Sequence, residues 1–173
     1  LTTLPMVLPP VVGGTALLYG LGRRGLVGGP LARVGVHLPF STAGAVLAET
    51  FVAMPFLVLT AEAAFASSNR RLEDAARTLG AGQWTVFRRV TLPLVRPSLM
   101  AGAVLCWARA LGEFGATITF AGNFRGTTQT LPLFVYTRLE GPNPEAAVVL
   151  SLVLLAVSLA VLVALRDRWL RAL

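Results

Sequence analysis

Arg109 and Glu113 stand four residues apart in the apolar stretch WARALGEFGATITFAGN, Trp107 to Asn123. On a helix that spacing puts both side chains on one face, where they can pair. A charge at the centre of a membrane helix costs about 2.5–3.5 kcal/mol on insertion scales. The pair is therefore expected to face a bundle interior or a polar cavity and to avoid lipid. Gly112, Gly115 and Ala116 beside it offer a small-residue surface for close helix contact. Two roles stay open. The pair fixes the register of its helix, or Arg109, Glu113 and Gly115 line a gate or pathway. Two further acids lie in apolar surroundings: Glu62, expected near a cytoplasmic end, and Glu49, expected in the outer part of a membrane and in need of a polar partner.

Other reactive chemistry is scarce. His37 is the only histidine and Cys106 the only cysteine. No Ser/His/Asp set, metal-ligand cluster or internal disulfide can be assembled from them. His37 reads as an interfacial side chain near an external helix start. No GxxxxGK[ST] phosphate loop occurs, and no catalytic residue, metal or cofactor is assigned to this chain.

The elements that must position these residues follow from composition. Hydrophobic residues make up 55% of the 173 and charged residues 13%, with the apolar ones in long runs. A soluble core of this size cannot absorb runs of that length, which suit a bilayer. The net charge of +7 sets 15 arginines, with no lysine, against 8 acidic residues. These arginines sit between apolar runs, where they orient helices, and nucleic acid is not an expected partner.

A helix needs about 20 apolar residues to cross, and four stretches qualify: Leu1 to Gly22, Thr42 to Ala66, Pro97 to Ala121 and Ala146 to Leu165. Pro5, Pro9, Pro10, Gly13 and Gly14 should kink the first. The last ends in RDRWLRAL, arginines for the cytoplasmic surface and Trp169 for the headgroup layer. Arg70, Arg71, Arg77, Arg88, Arg89 and Arg96 lie between the second and third spans, on the side of Arg166, Arg168 and Arg171. Arg23, Arg24, Arg33, Arg125 and Arg138 face the other side. Nine against five makes the central loop and the tail cytoplasmic. Gly122 to Glu145, rich in Gly, Pro and Thr, should be an external loop with at most a short interfacial piece.

The central loop, residues 67–96, carries the most patterned segment. Asn69 can cap a helix whose first turns hold Glu73 and Asp74. Leu72, Ala75, Ala76 and Leu79 make one apolar stripe, and Gly80 stops it. A second short helix should carry Trp84, Phe87 and Arg88 on one side, with Pro93 and Pro97 closing it. Periodicity alone leaves two uses equal: docking in a partner's groove, or resting on the bilayer surface.

The spacing separates them. Asp74-Ala75-Ala76, three residues, Gly80, nine residues, Val90, one residue and Leu92-Pro93 resembles the EAA loop of ABC importer permeases, with Asp for the usual Glu and Val for the usual Ile. The resemblance implies that Asp74, Ala75, Ala76 and Gly80 contact an ATPase subunit and that Val90, Leu92 and Pro93 form the hinge into the third span. LGEFGATITFAGN with GTTQTLPLFVYTRLE, and LPMVLPPVVGG at the start, resemble the molybdate permeases, with sulfate permeases as near relatives. The implied fold is all-α, a polytopic transmembrane helical bundle of the MetI-like type I importer class, residues 1–173 forming one domain. Such permeases have six or so spans, so the first two are expected to be missing here. The implied partners are a second permease copy, cytoplasmic ATPase subunits binding ATP and Mg, an external solute-binding protein, the bilayer of a prokaryotic cell membrane and an oxyanion substrate. Molybdate or tungstate is the expected cargo and sulfate or thiosulfate the alternative; a passive channel or ion-coupled carrier would not need the docking loop.

Overall fold

The computed structural model describes residues 2–142 and 144–170, with no strand among them. Helix α1 (Leu4–Val7) ends because Leu8 and Pro9, each followed by a proline, are held extended. Pro10 then opens α2 (Pro10–Leu21), where its fixed φ suits a first helical position. The first apolar stretch is thereby divided more deeply than a kink. The 12 residues of α2 rise only about 18 Å, short of a hydrocarbon core on their own.

A short α3 (Gly28–Arg33) leads to α4 (Thr42–Ala66), capped by Ser41 Oγ accepting from the Gly44 amide at 3.1 Å. After α5 (Arg70–Thr78), the chain runs through α6 (Gln83–Val86), a π turn (Phe87–Thr91) and α7 (Leu92–Leu111) without a break. Pro93 and Pro97, expected to close a short helix, instead lie inside a helix of 29 residues. Pro93 would clash with the carbonyl four residues back, Arg89. The widened turn relieves that, with the Leu92 amide donating to the Phe87 carbonyl five residues behind. The chain breaks after Leu111, resumes as α8 (Gly115–Phe120), and continues through α9 (Leu131–Leu139) to α10 (Glu145–Leu170). The stretch expected as one span from Pro97 to Ala121 is thus two helices in series.

Helices α4 and Gln83–Leu111 are each long and apolar enough to cross a bilayer. They run antiparallel: Gly102 meets Thr60, while further along α8 packs Phe120 against Gly44. Small residues permit the approach. Ala48, Ala53 and Ala116 are fully buried, and a Cβ on Gly14 would come within 2.8 Å of the Ala116 backbone. Ala48, Val52, Ala116 and Phe120 form the core, with Leu17, Leu18 and Phe51 packed around it. Helix α9 makes the short piece in the external loop and lies against α10. Arg166, Arg168, Trp169 and Arg171, which bear on the side of the tail, lie outside the residues whose side chains are described.

Candidate functional site

Helix α5 is built by local signals. Asn69 Oδ1 accepts from the Arg71 amide at 3.1 Å, satisfying one free donor of the first turn. At the other end Gly80 takes φ +85°, the Gly80 amide bonds the Arg77 carbonyl and the Ala81 amide bonds the Ala76 carbonyl. This pair of bonds is the Schellman motif, and the positive φ is what calls for glycine there.

The stripe of α5 stays uncovered: Leu79 is 89% exposed, and Leu72 and Ala75 are exposed beside it. Trp84, 68% exposed, stacks on Phe87 with centroids 5.6 Å apart, and the Arg88 guanidinium lies 5.9 Å from the Trp84 ring. The expected grouping of Trp84, Phe87 and Arg88 is therefore present. The result is an apolar and aromatic ledge at the end of the two long helices.

The two acids of the loop are placed differently. Asp74 keeps two thirds of its side chain in the open, holding only Arg77 at 3.4 Å. Glu73 turns inward, and its Oε1 accepts from the Thr91 hydroxyl at 2.9 Å. Thr91 closes the π turn and is buried. Glu73 thus ties α5 to the start of α7, a contact that sequence spacing did not disclose. Val90 lies within the π turn, and Leu92 and Pro93 open α7 directly after it.

At the far end of α7 the predicted pair forms, Arg109 Nη1 to Glu113 Oε2 at 2.8 Å. Glu113 is 2% exposed but sits beyond the helix end, in the break at 112–114. Its second oxygen accepts from the Ala116 amide at 2.9 Å, a free donor in the first turn of α8. Both carboxylate oxygens are therefore satisfied, one by a cation and one by backbone, so the carboxylate clamps two helix ends together. Gly115 sits against Pro10 and Val11 of α2, where an added Cβ would meet neighbours at 3.1 Å. Glu49 on α4 is half-buried, and among the described residues it forms no ion pair. His37 is exposed, Glu62 is exposed towards the loop end of α4, and no group of three metal-ligating residues occurs among the described residues.

The chain matches, over residues 1–172, the family described as binding-protein-dependent transport system inner membrane component. It belongs to that family. Among its relatives, the molybdenum transport system permease protein ModB of Mycobacterium tuberculosis is 51% identical over 97% of this chain and 63% of the relative. The protein of the same name in Escherichia coli K12 is 45% identical over 96% of this chain and 73% of the relative. The chloroplastic sulfate permease 2 of Chlamydomonas reinhardtii is 42% identical over 94% of this chain and 44% of the relative. The chain spans just under two thirds of the length of the mycobacterial relative. Membership identifies an all-helical inner-membrane transport component, in agreement with the two long apolar helices.

Two features of this family member were not read from the sequence. Pro93, ten residues into an apolar helix, signals a displaced carbonyl and hence a widened turn. Glu113 three residues before Ala116 has the spacing of a side chain reaching forward to a helix start.

Proposed function

We propose that this chain is the permease subunit of an ATP-driven importer that carries molybdate, and tungstate, inward. The observation that carries the reading is the 51% identity, along 97% of the chain, to a molybdenum transport permease. In this reading two permease copies pair in the cell membrane of a prokaryote. Each docks an ATPase that binds ATP and Mg, and an external solute-binding protein delivers the anion. Asp74, Ala75, Ala76 and Gly80 form the ATPase contact. The exposed ledge around them supports this, because apolar side chains held out from a short helix suit a groove.

Movement of the docked helix reaches the membrane by two routes: the Glu73–Thr91 hydrogen bond, and the π turn through Val90 to Leu92 and Pro93. At the other end of α7 the Arg109–Glu113 clamp holds α8 and Gly115 in place, and its opening and closing is the gate. A sulfate permease is the second reading, favoured by the 42% identity to a protein of that name. Uptake of labelled molybdate into vesicles holding the full importer, with tungstate and sulfate as competitors, separates them. Molybdate import displaced by tungstate and not by a large excess of sulfate is expected; preferential displacement by sulfate overturns the molybdate assignment.

A further inference from the structure

Outside the exposed ledge and the clamp, the loop after α8 and the helix α9 line an open cavity of about 440 Å³. Its lining includes Arg125, Arg138, Asn123, Gln129 and Thr137, and no acid. Among the described residues neither arginine forms an ion pair. Arg138 is half-buried, with its guanidinium 4.8 Å from the Phe134 ring. The polar wall is tied in series. Gln129 Nε2 donates to Asn123 Oδ1, Asn123 Nδ2 to Thr137 Oγ1, and Thr137 Oγ1 to the Leu133 carbonyl, at 2.8–2.9 Å.

The loop that carries Arg125 is built to hold its shape. The amides of Thr127, Thr128 and Gln129 all converge on the Phe124 carbonyl, and the buried Thr128 hydroxyl accepts from the Phe124 amide at 3.0 Å. Thr42 Oγ1, at the start of α4, donates to the Thr127 carbonyl at 2.9 Å, and Phe124 meets Phe40 edge to face. Two unneutralised guanidiniums on a braced frame, at the mouth of a basic cleft, concentrate anions by focusing the field. Planar guanidiniums also suit the oxygens of a tetrahedral oxyanion.

The geometry points to a transit site for a doubly charged tetrahedral oxyanion in this cavity, held by Arg125 and Arg138 on the external side of the Arg109–Glu113 clamp. The site rests on the importer reading for its place in the path. Its guanidiniums remain in contact with water, so it binds weakly, as a station that must also release its ion requires.

The test uses the full-length permease with its ATPase in nanodiscs, without binding protein, in equilibrium dialysis against labelled molybdate and sulfate, with nitrate as monovalent control. One dianion per subunit should bind outside the clamp. The double variant Arg125→Gln, Arg138→Gln should weaken that binding about fivefold, the product of two partly screened charges, while basal ATPase activity and nitrate behaviour stay unchanged. Arg23→Gln with Arg24→Gln, on the same side but outside the cavity, should change nothing. Equal dianion binding in wild type and the Arg125/Arg138 variant overturns the site, as does an equal drop in the Arg23/Arg24 variant, which would mark diffuse charge. Failure to bind free dianion, with weakened association of the loaded binding protein, also overturns it and assigns the face to protein contact. The importer reading is judged separately by uptake: absence of ATP-driven uptake by the wild-type complex with dianion binding intact refutes that reading and the transit role with it, and leaves a dianion-binding site at Arg125 and Arg138.

Discussion

Gly80 offers a way to separate backbone geometry from the proposed partner contact at the exposed ledge. Its φ of +85° closes α5, and nothing lies within 4 Å of where a Cβ would point. Substitution by alanine therefore meets no atom of the described residues. Its cost is conformational, about 1–2 kcal/mol for a left-handed alanine. That is about a 5- to 30-fold loss in the population of the closed helix end. Helix α5 has nine residues and no buried ones, so little tertiary packing offsets the loss. Asparagine tolerates the left-handed region far better than alanine but has the larger side chain. If the closed helix end is what matters, Gly80→Asn should retain most transport, Gly80→Ala should lose most of it, and Gly80→Val should lose nearly all. The assay is ATP-driven uptake, with ATP hydrolysis stimulated by the binding protein, in proteoliposomes of the full importer. ATP hydrolysis continuing while uptake fails is the expected sign of uncoupling. An order following side-chain volume, with asparagine worse than alanine, would refute the reasoning and assign the defect to a clash with the partner.

Further outcomes follow from the same structure. Thr91→Val removes the hydroxyl bonded to Glu73 and keeps the shape, so it should cost about 0.5–1.5 kcal/mol; Glu73→Ala, which removes the acceptor, should add little on top of it in a double-mutant cycle of uptake rates, and full additivity would deny the tether. Glu113→Gln should impair transport while assembly with the ATPase, measured by co-purification, stays intact; unchanged vesicle uptake with normal ATPase coupling would exclude the gate. Gly14→Ala forces a methyl against the Ala116 backbone and should destabilise the bundle by about 1–3 kcal/mol, read as a lowered melting temperature in detergent.

What could be read from the sequence was what rests on local rules. Asn69, the stripe from Leu72 to Leu79 and Gly80 are a cap, a period and a stop, and each appears where its residues place it. The pairing of Arg109 with Glu113 was also legible, because four residues is one helical turn. Its setting was not. Glu113 lies past the helix end, and the break at 112–114 depends on how α8 packs against α2 and α4, which no window of sequence contains. Pro93 misled in the opposite direction. A proline ordinarily stops or kinks a helix, but a widened turn lets this one pass, so the helix continues through it. The inward turn of Glu73 needs Thr91, eighteen residues away, to be brought alongside.

The ledge of Leu79 and Trp84 also bears on how such a subunit is made. Side chains of this size held in water are what chaperones and proteases of the cell recognise in unfinished proteins, and in this chain folding does not hide them. In the importer proposed above, a copy synthesised in excess of the ATPase would therefore keep an adhesive handle after it has inserted, and matched production of the two subunits would become a condition of its survival.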